Sequence, residues 1–162
     1  HITFKLNHET KLFEIFLNDI NIEKQIRSMN VSDLVSKVSA IKEVRERMVD
    51  IQQSLGSKGG VVMDGRDIGT AVFPGADLKI FMTADPLIRA QRRFDELQAS
   101  GIKVTFNEVF KNLHLRDTID TTRKINPLRK ADDAIILDNS NLNREQQLDF
   151  IINEVERLKA IS

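Results

Sequence analysis

Ile2 to Leu6 and Leu12 to Leu17 alternate apolar and polar side chains on either side of the polar run Asn7 to Lys11. A period of two sends successive residues to opposite faces of a strand, so an antiparallel hairpin is predicted here, with a third short strand near Asp19 to Ile22. From Ser32 the period changes. Leu34, Val35, Val38, Ile41, Val44, Met48 and Ile51 recur at helical spacing, which predicts a capped helical region from about Ser32 to Leu55. After the flexible connection Gly56-Ser57-Lys58-Gly59-Gly60, the apolar runs Val61 to Met63 and Leu78 to Met82 read as short buried strands of an α/β sheet. Between them lies the charged turn Asp64-Gly65-Arg66-Asp67. Pro86 to Ala99 is predicted helical, with Asp85 as N-cap and proline in the first turn. Gly101 to Thr105 is a loop, Phe106 to Ile119 a helix, Ala134 to Leu137 a buried strand and Arg144 to Leu158 a closing helix. This order favours a partly parallel α/β layer.

Composition narrows the chemistry. The 162 residues fit one domain with room for a small lobe, and 41% apolar content suffices for a core. Lys plus Arg and Asp plus Glu both total 24, so no overall basic field attracts nucleic acid, and any anion site must be local. The absence of cysteine excludes disulfides, thiolate metal sites and cysteine nucleophiles, and suits a reducing cytoplasm. No run approaches the roughly eighteen apolar residues of a spanning helix, and the opening HITFKLNHET lacks a signal peptide's apolar centre, so no membrane association is expected. The first residue is His1 rather than Met, so the chain reads as a fragment or a trimmed product.

A buried strand ending in Asp-Gly-Arg-Asp would deliver a carboxylate and a guanidinium to a sheet edge, where open α/β sheets bind their ligands. Arg66 offers a planar donor fork for phosphate or carboxylate, whereas Asp67 only accepts hydrogen bonds at neutral pH. The plainer alternative is a surface turn whose charges neutralise each other. Arg116, Asp120 and Arg123 share one face if their helix continues, and could hold a sugar hydroxyl and a phosphate together; an exposed ion-pair ladder explains the same spacing. Arg89, Arg92 and Arg93 add positive charge to the preceding helix, or simply a solvated face. Ser36 and Arg45 lie nine residues apart, and spacing alone singles out neither. His1, His8 and His114 have no metal-ligand companions at suitable spacing. The Gly56 to Gly60 loop is no phosphate loop, because Lys58 precedes Gly59-Gly60 and the loop runs into a predicted strand.

The blocks SKVSAIKEVRERM, GGVVMDGRDIGTAVFPGADLKIFMTADPLIRAQRRFDEL, LRDTIDTTR and NPLRKADDAIILDNS, in this order, closely resemble bacterial cytidylate kinases over essentially the whole chain from Ile2. The resemblance implies a P-loop NTPase-like, three-layer α/β sandwich of the nucleoside monophosphate kinase type, here partial. Residues 1–55 would form a small β-rich monophosphate-binding lobe, and residues 56–162 the remainder of the core, with a lid at about 92–122. It implies transfer of the terminal phosphoryl group of ATP to CMP or dCMP with Mg2+, by a cytoplasmic monomer with small-molecule substrates and neither nucleic-acid nor membrane partners. Carried over by motif, Ser36, Arg45 and Asp67 would read cytosine, Arg66 and Arg123 would clamp the CMP phosphate, and Asp120 and Arg116 would hold the ribose and the phosphate side. Arg89 and Arg93 would face the ATP phosphates. Family members begin with a strand, a phosphate loop and a helix that these residues lack, so the 162 residues are expected to contain no metal ligands and to be inactive alone. The competing expectations are a pyrimidine-nucleotide-binding module without catalysis, or a kinase for another monophosphate such as UMP, against which Asp67 argues.

Overall fold

The alternation at the start of the chain resolves into β1 (Ile2–Leu6) and β2 (Phe13–Leu17), paired antiparallel with Ile2 opposite Leu17, Phe4 opposite Ile15 and Leu6 opposite Phe13. This computed structural model describes residues 1–160. β3 (Ile20–Asn21) continues the sheet beyond β2. Asn18 and Asp19, between β2 and β3, both have positive φ, as the tightest hairpin turn requires, and both are residue types that tolerate it.

Two helices stand where one helical region was predicted. α1 runs Met29–Ser39 and α2 runs Lys42–Gly56. The capping serine is Ser28, whose hydroxyl accepts from the Val31 N–H, rather than Ser32, which lies buried within α1. The break falls at Ile41, whose backbone is extended (φ −69°, ψ 127°). There the Arg45 side chain turns back and its Nε donates to the Ser39 carbonyl at 2.9 Å, taking an acceptor that a continuous helix would use for its own ladder.

Val61 to Met63 is not a strand. Val62 is fully exposed, and no strand among the described residues pairs with the segment. Apolar residues make a strand only where a neighbour takes their backbone groups. The charged turn therefore leads from an irregular segment into one wide helical turn, Ile68–Val72, anchored on the Asp67 carbonyl. That carbonyl receives the N–H groups of Thr70, Ala71 and Val72, and Phe73 N–H closes onto the Ile68 carbonyl at 2.7 Å. Wide turns of this kind are rare and concentrate at functional sites.

Beyond it, β4 (Ile80–Thr83) and β5 (Ile135–Asp138) pair in parallel, Ile80 opposite Ile135 and Thr83 opposite Asp138. A parallel pair needs a crossover, supplied by α3 (Pro86–Ala99) and α4 (Phe106–Thr122). The predicted ends of these elements agree closely, because each helix carries its start signal. Asp85 accepts from the Leu87 and Ile88 N–H groups ahead of α3, and Thr105 and Glu108 cap α4 reciprocally. The Glu108 carboxyl sits below its ordinary value because the Thr105 backbone N–H and hydroxyl both donate to it. α5 (Arg144–Lys159) opens on a second reciprocal cap, Asn143 with Gln146. α3 lies along α4, with Phe94 edge-on to Phe106 at 6.2 Å, and α1 also contacts α4. Val72, Ala90, Leu97, Val109 and Leu137 form the buried apolar core. Among the described residues no helix is long and apolar enough to cross a membrane.

Leu97 is 2% exposed. Leu97→Ala should lower unfolding free energy by about 2–5 kcal/mol in a denaturant titration; a loss below about 0.5 kcal/mol would contradict this core assignment.

Candidate functional site

Asp67 is the fixed point of the site. Its backbone carbonyl anchors the wide turn, and its carboxylate is buried. From α2, Arg45 Nη1 reaches Asp67 Oδ2 at 2.5 Å, in the orientation set by its Nε bond to Ser39. From the end of α4, Arg123 Nη2 lies 3.8 Å from Asp67 Oδ1. Arg123 is itself held by donating from Nε to the Asn126 carbonyl at 2.8 Å and from Nη1 to Asp120 Oδ1 at 3.3 Å. The other Asp120 oxygen takes Arg66 Nε at 3.0 Å. The charges thus run without interruption from Arg45 through Asp67, Arg123 and Asp120 to Arg66, joining α2, the wide turn and α4.

α1 adds two serines. Ser36 is buried and its hydroxyl forms no hydrogen bond among the described residues; it stands one turn before Ser39, the residue that orients Arg45. Ser32 accepts from Arg116 Nη1 at 3.1 Å. Its role was missed from the sequence, because its partners on α4 lie some eighty residues away and no local spacing records them.

Four guanidiniums, of Arg45, Arg66, Arg116 and Arg123, gather around the carboxylates of Asp67 and Asp120, an excess of two positive charges; Asp117, which also acts on Arg116, is paired with Arg89. Burial pulls the Arg123 pKa down, with Arg45 nearby adding to it, while Asp120 and Asp67 oppose the fall. Burial likewise lowers Arg116, followed by the charge of Arg66. Guanidinium stays protonated regardless, so the shifts register burial first and neighbouring positive charge second. Among the described residues, Arg116 Nε and Arg123 Nη2 are buried with no hydrogen-bond acceptor, as is Arg89 Nε on α3. A buried donor left unmade costs on the order of 1–3 kcal/mol, which an incoming oxyanion would recover.

Arg89 and Arg93 on α3 stand apart from this chain of charges. Arg89 Nη2 donates to Asp117 at 2.6 Å, and Arg93 bonds to the Arg27 carbonyl and pairs with Glu96. Arg92 holds the carbonyls of Asn139 and Ser140, a structural tie to the loop after β5. Asp67 and Asp120, being engaged by arginines, are a poor fit to a divalent cation, and no group of three His, Asp or Glu residues suited to a metal occurs among the described residues.

The two carboxylate classes should behave differently on truncation. Asp120 is 3% exposed at its side chain and bridges two arginines, so Asp120→Ala should cost about 3 kcal/mol of stability by stranding buried positive charge. Asp117→Ala, at a partly solvated pair, should cost about 1 kcal/mol or less. Denaturant titrations of both variants check this; equal losses would contradict the difference.

The chain matches the family model for cytidylate kinase over residues 1–157. It is 57% identical over 150 residues to the cytidylate kinase of Bacteroides thetaiotaomicron, covering 93% of this chain and 66% of that protein. It is 51% identical over 157 residues to that of Bacteroides fragilis, covering 97% and 69%, and 53% identical over 154 residues to that of Flavobacterium johnsoniae, covering 95% and 67%. The chain spans about two thirds of the length of these curated relatives. The fold that goes with this match is the P-loop NTPase-like α/β type, to which the parallel β4 and β5 with their crossover helices correspond. On the extent of the match and the level of identity, the chain belongs to the cytidylate kinase family.

Proposed function

We propose that the whole protein of which these 162 residues form a part transfers the terminal phosphoryl group of ATP to CMP or dCMP, and that these residues form its acceptor-nucleotide site. The observation that carries the reading is the Arg45-Asp67-Arg123-Asp120-Arg66 chain, which together with Arg116 has an excess of two positive charges, the charge of a phosphate monoester dianion. Arg66, Arg123 and Arg116 take the phosphate. Asp120, already fixed by two arginines, sits beside them on the ribose side.

Asp67 and Arg45 read the base. Side by side they present an acceptor next to a donor, which matches the amino donor and the adjacent ring-nitrogen acceptor of cytosine. The free Ser36 hydroxyl completes the set by donating to the remaining carbonyl. Uracil reverses the first two groups and would set its C4 carbonyl against the Asp67 carboxylate.

Phosphoryl transfer rests on in-line placement and charge neutralisation rather than on a strong general base, which suits a site rich in arginine and poor in histidine. ATP with Mg2+ would supply the transferred group and its charge compensation. Of the acidic residues at the turn, only the exposed Asp64 is free of an arginine partner, so no metal-dependent step is assigned to the residues of this site. Arg89 and Arg93 are proposed to turn toward ATP phosphates when a lid at about residues 92–122 closes over the lobe of residues 1–55, excluding water. A soluble, cytoplasmic monomer is the setting this reading implies. The second reading, a nucleotide-binding module, concerns the 162 residues themselves, which hold no Gly-x-x-x-x-Gly-Lys-Ser/Thr loop.

Calorimetric titration of the 162-residue chain should show CMP binding roughly tenfold or more tighter than cytidine or UMP. Asp67→Asn should bring CMP and UMP within about threefold, and Arg66→Ala should weaken CMP alone by about tenfold. Equal affinity for CMP, UMP and cytidine would refute the site. With ATP and Mg2+ this chain should give no CDP above background, and measurable turnover would refute the binding-only behaviour proposed for it.

A further inference from the structure

α1 and α4 are joined by a directed series of hydrogen bonds. Arg116 Nη1 donates to Ser32 Oγ at 3.1 Å, Ser32 Oγ donates to Asn112 Oδ1 at 3.0 Å, and Asn112 Nδ2 donates to Asp33 Oδ1 at 2.5 Å. Every donor points the same way, from the guanidinium to the carboxylate. Ser32 accepts from Arg116 while its single proton goes to Asn112, and Asn112 accepts through the oxygen it turns away from Asp33. The Asp33 carboxylate therefore fixes the amide, the amide fixes the hydroxyl, and the hydroxyl fixes the guanidinium, each bond polarising the next.

We propose that Ser32, Asn112 and Asp33 are positioning residues that set Arg116 for the phosphate of the acceptor nucleotide, an inference that rests on the nucleotide reading above. A direct carboxylate partner would neutralise Arg116 and occupy its fork. The relay instead ends on one nitrogen, Nη1, and leaves the buried Nε without an acceptor among the described residues. The guanidinium is thereby immobilised with a donor in reserve, at a point where burial and the charge of Arg66 already disfavour free positive charge. Asn112 and Arg116 lie one turn apart on α4, and Ser32 and Asp33 are adjacent on α1, so the relay also ties the lobe to the proposed lid on the side where the phosphate binds.

The test is a double-mutant cycle on the 162-residue chain, read by calorimetry with CMP and with cytidine, for wild type, Ser32→Ala, Arg116→Gln and the double variant. Ser32→Ala should weaken CMP roughly three- to tenfold and leave cytidine unchanged, and should add nothing in the Arg116→Gln background. Equal weakening of CMP and cytidine, full additivity, or no change in CMP affinity would overturn the relay. A second readout needs no ligand: 15N relaxation of the Arg116 Nε should show a more mobile side chain in both Ser32→Ala and Asn112→Ala, and an unchanged Nε would overturn it too. A wild-type chain that binds CMP no better than cytidine would sink the nucleotide reading itself, and the positioning role with it.

Discussion

The carboxylate of Asp67, buried between Arg45 and Arg123, is the constraint on which the rest of the site depends. A buried carboxylate is tolerable only if paired and hydrogen-bonded, and its partners arrive from α2 and from the end of α4. The pairing therefore ties distant parts of the chain to one turn. Arg123 extends it to Asp120, and Asp120 to Arg66, which lies next to Asp67 in sequence and so closes the circuit back onto the turn. Among the described residues the circuit carries an excess of positive charge, and buried nitrogens of Arg116 and Arg123 have no hydrogen-bond acceptor.

Two backbone irregularities serve this arrangement. The break between α1 and α2 frees the Ser39 carbonyl for Arg45, which is then aimed at Asp67. The wide turn Ile68–Val72 gathers three N–H groups onto the Asp67 carbonyl and fixes the residue whose carboxylate organises the site. Both are places where regular helix or strand would have been locally adequate, and both put a charged side chain in a defined position instead.

Much of the architecture was legible in the sequence. The hairpin declared itself by alternation, and α3 and α4 by their caps, because those signals are local and the structure uses them as written. The errors arose where the outcome depends on distant partners. Val61 to Met63 has strand composition but no strand beside it among the described residues, and the Ser32 to Leu55 period could not reveal that Arg45 would compete for a helix carbonyl. In the site, Arg123 pairs with Asp120 although α4 ends at Thr122, so the shared-face spacing does not carry through to Arg123, and it could not show that Asp120 is buried rather than a solvated rung. Ser36 and Arg45 carried no signal of their own, and came into view only through the resemblance of their surrounding motif. The Asp33-Asn112-Ser32 relay was invisible, since its polarity is a property of side chains that meet across α1 and α4.

The most direct test of the central claim is a crystal structure of this chain with CMP. The cytosine amino group should lie on the Asp67 carboxylate, with phosphate oxygens within hydrogen-bond distance of Arg66, of Arg116 Nε and of Arg123 Nη2. CMP bound elsewhere, or bound with those two buried nitrogens still lacking an acceptor, would contradict it.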